Sequence, residues 1–490
     1  MLAEFNCIFG HGLAGVGSPS SPKYLDRLAV HVVDVCLPLI SFLRELDDQG
    51  SELRFCLECP PQLLAALQTQ ELRDTVGRLI DQRLLSLSEQ LENEAEPLIR
   101  DITSRDLQEA QAARRLFDLV DGDILMEYRR LSQSGRIEPL TGPFTDVALT
   151  AHLADPGVVK SQLLRSIEVM KETLGQDPAG MLLTHSGYTP SMNDILAGTD
   201  VRYAIVDQSA FDGASAPLQS GPYAPIHHPA GELSIFAEQR NFHRWRPSSP
   251  GGYLDAYRSL DEVDSTSWGA GTQGREPNTY SPAQAMAALD QHAHDFLRSR
   301  EQEAQTVIRR VSRPPLLLGC IDLGARINGW FEVVDFLTRL VKLVSHQSPL
   351  NWSTPGQFLD ANKTNQACWP GPSNSRRPVD ELLSSRAPTL HQYAGRVNQL
   401  VRVRKHLNLD EQAHLDQAVC ALLWAQSAAA DRRDVDSNTS AYRDYVDSIE
   451  ALISPIERGL PEELKAREEM PVARPKPPKP TPHFGPLTIT

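Results

Sequence analysis

Polar side chains end six of the short apolar runs in this sequence, and these side chains are the first candidates for chemistry. Ligands of parallel α/β folds bind where the carboxyl ends of buried strands meet, so residues at those ends come together. The six residues are His11, Thr141, His185, Asp207, Glu238 and Asp322. Carboxylates and imidazoles at one edge of a sheet are suited to acid–base chemistry.

Asp322 stands out among them because it follows an unbroken apolar run at 316–321 and precedes Trp330. A strand-end carboxyl that is buried near aromatic rings has its charged form disfavoured, which is what a general acid needs. An aspartate that caps a strand-to-helix turn would leave the same pattern. The sequence alone leaves both interpretations open.

A metal site is the alternative to acid–base chemistry at the same strand ends. His11, His185, Asp207 and Asp322 would supply two imidazoles and two carboxylates, a set compatible with zinc. No local pair of histidines at ligand spacing supports it, and Cys56 and Cys59 have no second cysteine pair to complete a site. We therefore predict no metal and no cofactor, and seven reduced cysteines, mostly in the core.

Seven apolar runs must position these residues, at 5–11, 53–59, 137–142, 181–188, 202–207, 233–238 and 316–322. Most are nearly continuous apolar strings, which is typical of strands buried on both faces. Helical patterns separate most of them, including 24–46 with Pro38 as a kink and a helix that begins at Ser281 and runs to about residue 310. Strands that alternate with helices predict an α/β fold with a parallel sheet that is a barrel or nearly closed.

The sequence divides into a barrel and a helical end. We predict the barrel at 1–347, interrupted by a helical insertion at 61–135 and a substrate-side loop insertion at 239–280. A crossing linker at 348–386 leads to an all-helical C-terminal domain at 387–456. The Pro-rich segment 457–490 is predicted to be a disordered tail, or else a docking segment for a protein partner.

Composition excludes several classes of protein. The 490 residues carry a net charge of −15, which disfavours a surface that neutralises nucleic-acid phosphates. An acidic residue near the start and the lack of an 18-residue apolar run argue against a secretory signal and a membrane span. We therefore expect a cytoplasmic protein with no nucleic-acid or membrane partner.

The order of several segments resembles glycoside hydrolase family 57, and within it the chain is most similar to the 1,4-α-glucan branching enzymes. The resemblance rests on 5–11, 54–64, 187–188, 202–207, 223–225, Asp322 with 330–332, and 422–427, and it runs from about residue 5 to about residue 455. It implies an incomplete (β/α)7 barrel, a small inserted domain and a helical C-terminal domain that lines a glucan cleft.

The resemblance also implies a chemistry that this chain cannot carry out in the usual way. Branching in the family is a retaining reaction that needs a nucleophilic glutamate and an acid/base aspartate. Asp322 falls on the acid/base position, but the nucleophile's motif, roughly Trp-x-Pro-Glu-x-Gly-Tyr, falls on 182–188 and places His185 where the glutamate is expected. An imidazole nucleophile is disfavoured because a glycosyl-imidazolium adds positive charge to an already positive transition state.

We therefore expect a glucan-binding or regulatory pseudoenzyme whose partner is an α-glucan of the glycogen or amylopectin type. The alternatives are an active branching enzyme or amylase that uses a relocated carboxylate, Glu238 or Asp207, and a metal-dependent hydrolase on the same barrel. The substrate-binding candidates are His11, Tyr188, Asp207, Trp268, Trp330 and Trp424. For the tryptophans, ordinary core packing is the competing interpretation.

Overall fold

A computed structural model describes most of the chain. The described residues are 3–11, 13, 19, 23–145, 147–227, 233–240, 282–311, 313–327, 330–362, 366–373, 381–430, 435–461 and 464. Trp268, Ser281 and most of the predicted insertion at 239–280 and tail at 457–490 therefore lie outside the described residues. Within them, no helix is both long enough and apolar enough to cross a bilayer.

All seven predicted strands are present, together with three strands of two residues each. In chain order the strands are β1 (Glu4–Gly10), β2 (Phe55–Glu58), β3 (Ile137–Thr141), β4 (Gly180–Leu182), β5 (Tyr203–Asp207), β6 (Ile226–His227), β7 (Ser234–Glu238), β8 (Leu316–Asp322), β9 (Asn351–Trp352) and β10 (Gln366–Ala367). Six of the seven residues of β1 are buried, as expected for a strand covered on both faces.

The strands form one sheet in the order β10-β6-β7-β5-β4-β3-β2-β1-β8, with β9 also paired to β1. Every pair is parallel except the short β6–β7 pair. The helices that connect the strands cover the sheet. This arrangement confirms the predicted α/β class and agrees with an incomplete (β/α)7 barrel.

Gln239 links the two outer strands of the seven-stranded set, β7 and β8. Its backbone N–H donates to the Leu318 carbonyl at 3.0 Å, and its side-chain amide donates to the Leu316 carbonyl at 2.8 Å and accepts from the Leu318 N–H at 3.2 Å. The side chain is buried, 1% exposed. Gln239 thus supplies hydrogen bonds like those that would form if β7 and β8 paired directly.

The helices follow the predicted patterns with two differences. They are α1 (Tyr24–His31), α2 (Leu37–Asp48), α3 (Pro61–Leu67), α4 (Gln70–Asn93), α5 (Pro97–Leu119), α6 (Ile124–Gln133), α7 (Pro156–Leu174), α8 (Ser191–Leu196), α9 (Ser209–Asp212), α10 (Pro282–Ile308), α11 (Val333–Gln347), α12 (Pro355–Ala361), α13 (Glu381–Val403), α14 (Leu409–Ala430) and α15 (Val435–Gly459). The helical insertion predicted at 61–135 includes a charged helical pattern at 84–115, which is not one helix. It is divided between α4 and α5, because Pro97 favours the first turn of a helix and Glu96 caps that helix by accepting from the Ile99 N–H.

The second difference is a π-helical turn, Val32–Cys36, between α1 and α2. The Leu37 N–H bonds to the Val32 carbonyl, five residues back. Pro38 has no N–H to give to the carbonyl four residues before it, so the regular α-helical ladder cannot continue through this point. The predicted kink at Pro38 is therefore accompanied by a widened turn.

Helices α13, α14 and α15 form a helical C-terminal region with its own apolar cluster, which also includes Phe144 and Val158 of the barrel. A buried polar contact joins the two parts. The Gln162 side-chain amide donates to Gln426 Oε1 at 3.1 Å, and the Thr145 hydroxyl donates to the Leu423 carbonyl at 3.2 Å. The predicted boundaries of the domains and of the linker at 348–386 remain predictions.

Candidate functional site

A cavity of about 150 Å³ lies at the carboxyl ends of β1, β2, β3, β4 and β8. His185 and Asp322, which are 137 positions apart in the sequence, both line it. The other described lining residues are Gly10, Leu13, Glu58, Pro60, Pro61, Gln62, Gly142, Pro143, Thr145, Leu182, Ser186 and Cys320. The sequence prediction that strand ends converge therefore holds for His185 and Asp322.

Asp322 is exposed, so the expectation of a buried carboxyl is wrong. It is the last residue of β8 and the cap of a short 3-10 helix, Leu323–Arg326, where its Oδ1 accepts from the Gly324 N–H at 2.8 Å. The capping role that the sequence left open is thus present. The carboxylate still borders the cavity.

Helix α5 holds the loop that follows Asp322. Arg105 donates to the fully buried Glu332 at 3.1 Å, and Arg326 donates to Glu109. These ion pairs connect the helical insertion to the segment between β8 and α11. Burial and the neighbouring Glu109 raise the pKa of Asp106, on the same helix, to about 7, while Arg105 and Arg326 oppose the rise.

His185 is half-buried in a turn and does not lie in a strand as predicted. Strand β4 ends at Leu182, and the turn closes through the Gly187 N–H, which donates to the Leu183 carbonyl. Gly187 has a φ of +79°, a conformation that L-residues other than glycine rarely adopt. The turn that Gly187 closes therefore carries the His185 imidazole at the cavity.

Glu58 is a lining carboxylate that the sequence analysis missed. It is the last residue of β2, and its Oε2 accepts from the His11 backbone N–H at 3.1 Å. The sequence signal was an acidic residue near the end of an apolar run. The predicted strand 53–59 extended one residue further to Cys59, which concealed Glu58 as a strand end.

Gly10 allows Glu58 and Cys320 to approach each other across β1. A Cβ at position 10 would lie 2.9 Å from Cys320 Sγ and 3.4 Å from Glu58 Oε2. Gly10 is also the register partner of Asp322 in the β1–β8 pair. Because Gly10 has no side chain, it leaves room at this point of the cavity floor.

The ring of His11 is not among the described groups that line the cavity. Its Nδ1 lies 3.1 Å from His31 Nε2 and its Nε2 lies 3.0 Å from the Tyr128 hydroxyl, so the ring is engaged on both sides within the core. Burial lowers the pKa of His11 from 6.5 to about 3 and that of His31 well below its usual value. Both imidazoles are therefore neutral at pH 7. Cys36 lies beside them, and the three side chains offer two nitrogens and a sulfur that could hold a metal ion.

Asp207 and Glu238 are register partners on β5 and β7, and neither is among the described lining residues. The Asp207 carboxylate accepts from the N–H and the hydroxyl of Ser209, at 2.9 and 2.8 Å. Glu238 is fully buried. The four-residue metal set of His11, His185, Asp207 and Asp322 is therefore not assembled, since two of its members point elsewhere.

The remaining predicted binding residues are packed against protein. Tyr188 is fully buried and its hydroxyl donates to Asn193 Oδ1 at 2.9 Å. Trp330 is 3% exposed and packs against Phe336. Trp424 lies edge-on to Tyr24 and Phe144, with centroids 6.2 and 5.6 Å apart. Core packing accounts for Tyr188 and Trp330, while Trp424 is partly buried near the Thr145 side of the cavity.

Comparison with known proteins confirms the resemblance drawn from the sequence. The family model for glycosyl hydrolase family 57 matches residues 82–249. A protein of Mycobacterium tuberculosis described as a probable 1,4-alpha-glucan branching enzyme is 23% identical over 229 residues, which are 44% of this chain and 41% of the relative. The matched part is thus less than half of that relative's length.

Solved structures give the same fold over nearly the whole chain. The alpha-amylase AmyC from Thermotoga maritima superposes with a TM-score of 0.80 at 20% identity, covering 96% of both chains. A GH57-type branching enzyme from Pyrococcus horikoshii superposes with a TM-score of 0.78 at 18% identity, covering 96% of this chain and 95% of the other. At this level of identity the likeness establishes the fold.

Proposed function

From the match to glycosyl hydrolase family 57, we propose that this chain binds α-glucan at the cavity between His185 and Asp322 and does not carry out retaining glycosyl transfer there. The family relatives that match are branching enzymes and an amylase, which makes an α-glucan the substrate class to test. The observation that carries the proposal is the pairing of an imidazole with a carboxylate at one cavity.

The chemistry of that pair argues against turnover. Retaining glycosidases use two carboxyl groups about 5–5.5 Å apart, one as nucleophile and one as acid/base. Position 185, which corresponds to the nucleophile in the family motif, has no carboxylate.

Two measurements on the full chain test the proposal. Branching and hydrolysis of amylose should not exceed the level of the Asp322→Ala variant, whereas retaining turnover that Asp322→Ala abolishes would contradict the proposal. Affinity electrophoresis in glycogen or amylopectin should show retarded migration. Unshifted migration would contradict glucan binding and would favour a protein partner.

The binding test needs a variant that fills the cavity. His185→Trp should release the glucan because the larger ring occupies the space between residues 185 and 322. Leu409→Ala, at a position 83% exposed on the C-terminal helical region, serves as the matched control and should migrate as the wild type. Equal retardation of both variants would place the glucan elsewhere on the protein.

A second candidate function is hydrolysis by Glu58 together with Asp322, because both carboxylates line the cavity. Glu58 would attack the anomeric carbon, or deprotonate a water that does so, while Asp322 protonates the leaving oxygen. Neither relocated carboxylate proposed from the sequence, Asp207 or Glu238, has this position. Amylose hydrolysis lost in Glu58→Gln and in Asp322→Asn, but kept in the control Lys405→Ala, would establish this candidate in place of the first.

A further inference from the structure

A second cluster of chemically competent side chains lies beneath the cavity. It consists of His11 after β1, His31 at the end of α1 and Cys36 in the π-helical turn, and we call it the His–Cys cluster. One ligand atom from each residue lies within 4.8 Å of the others, and all three residues are at most 1% exposed. The cluster plays no part in the proposed glucan binding.

The π-helical turn is what brings His31 and Cys36 together. Residues five apart on a regular α-helix point about 140° away from each other, so they could not face one site. A turn closed by a bond over five residues reduces that angle, and such turns are frequent at functional sites. The local departure from α-helix thus serves to aim two donors at the ring of His11.

The donor set and its spacing fit a thiophilic ion. Two imidazole nitrogens and a thiolate are ligands that Zn²⁺ and Cu⁺ both accept. Bond lengths of about 2.0–2.3 Å place tetrahedral donors roughly 3.3–3.6 Å apart. His11 Nδ1 and His31 Nε2 are 3.1 Å apart. One ligand atom from each of the three residues, the Cys36 sulfur included, lies within 4.8 Å of the others. Small side-chain movements would therefore complete the site.

We propose that the His–Cys cluster binds one d¹⁰ metal ion, Cu⁺ or Zn²⁺, inside the core. Binding forms a metal–sulfur bond at Cys36 and releases the thiol proton to solvent, while both imidazoles bind as neutral ligands. Cu⁺ with one thiolate leaves the buried site without net charge, as burial requires. Zn²⁺ would leave one positive charge in the core, and the Tyr128 hydroxyl cannot offset it as a ligand, because it bonds to His11 Nε2 and not to the Nδ1 that faces His31.

Metal analysis of the whole protein tests the site directly, with no assay of activity. The full chain is expressed in medium supplemented with Zn²⁺ or with copper, purified under reducing conditions and analysed by mass spectrometry for metal content. We expect about one ion per chain in the wild type and background levels in Cys36→Ala and in His31→Gln. Cys7→Ala, which removes another buried thiol from β1, should keep the metal.

Cobalt substitution and Tyr128→Phe sharpen the test. Protein expressed with Co²⁺ should show thiolate-to-cobalt charge-transfer absorption that Cys36→Ser removes, and Cys36→Ser nearly preserves the volume of the side chain if Cys36→Ala fails to fold. Tyr128→Phe should leave the content of either metal unchanged, because the Tyr128 hydroxyl bonds to the ring nitrogen of His11 that faces away from His31. Metal content in the wild type no higher than in Cys36→Ser, or cobalt absorption that Cys36→Ser leaves intact, would overturn the proposal and leave a hydrogen-bonded core cluster.

Discussion

The carboxylate of Glu58 accepts a hydrogen bond from the backbone N–H of His11 at 3.1 Å, across the β1–β2 pair. This bond joins the two sites of the molecule, since Glu58 lines the cavity and the His11 ring belongs to the buried His–Cys cluster. One hydrogen bond and the backbone of His11 therefore connect the cavity with the buried cluster.

Glu58→Ala should lower the free energy of unfolding by about 1–3 kcal/mol, because the His11 N–H then loses its acceptor in a partly buried position. Glu58→Gln keeps an acceptor oxygen and should cost less than about 1 kcal/mol. Urea unfolding followed by circular dichroism measures both. Equal losses in the two variants would show that charge, and not the hydrogen bond, is what matters at this position.

Gln239 should be one of the most sensitive side chains outside the two sites. Gln239→Met nearly preserves volume but removes the two side-chain hydrogen bonds to β8, and we expect a loss of about 2–4 kcal/mol in the free energy of unfolding. Gln208→Ala, whose side chain accepts from the exposed Arg240 N–H, is the control and should change the free energy of unfolding by less than about 1 kcal/mol. A matching loss in the control would contradict the bridging role.

The strands could be predicted from the sequence because they are buried on both faces, so their apolar runs are nearly continuous. The ends of the strands were less well defined. The predicted fourth strand ran to Tyr188, but the strand ends at Leu182 and is followed by a turn in which Gly187 has a positive φ. The predicted second strand extended one residue beyond Glu58, so Glu58 was not recognised as a strand end. The apolar pattern of a strand shows which face of the sheet each residue lies on, but it does not show at which residue the strand ends.

The direction of the His11 ring could not be predicted either. It depends on His31, Cys36 and Tyr128, which come from distant parts of the sequence and meet only in the folded core. The π-helical turn that aims two of them has no sequence pattern of its own beyond Pro38. For Trp330, by contrast, the core-packing interpretation was available from the sequence, and the structure places the indole in the core.

Asp106 should make the stability of the protein depend on pH. Its pKa is raised from 3.8 to about 7 by burial and by Glu109, so between these values the folded protein holds a proton that the unfolded chain has released. The free energy of unfolding therefore falls as the pH rises from about 4 to about 7 and stays level above that, as far as Asp106 is concerned.

Asp106→Asn imitates the protonated carboxyl and should remove that fall. Its gain in stability should be absent near pH 3.5 and reach on the order of 2 kcal/mol above pH 7, about half of what the full shift would give, because Asp106 is only partly buried. Thermal unfolding across this pH range measures it. Asp101→Asn, on an exposed position of the same helix, should have a flat difference from the wild type; a flat difference for Asp106→Asn as well would disprove the assignment.

Restoring a glutamate at position 185 alone should not recover branching. A returned nucleophile in an otherwise intact site would raise the rate by several orders of magnitude. In the correspondence predicted from the sequence, Leu182 and Thr184 fall on the tryptophan and proline of the family motif, and Leu182 itself lines the cavity. Asp322 is exposed, and its Oδ1 caps the following turn. Amylose branching by His185→Glu should therefore equal that of His185→Gln. Strong branching by His185→Glu, abolished when Asp322→Ala is added, would show instead that the rest of the site has stayed intact and that one substitution silenced it.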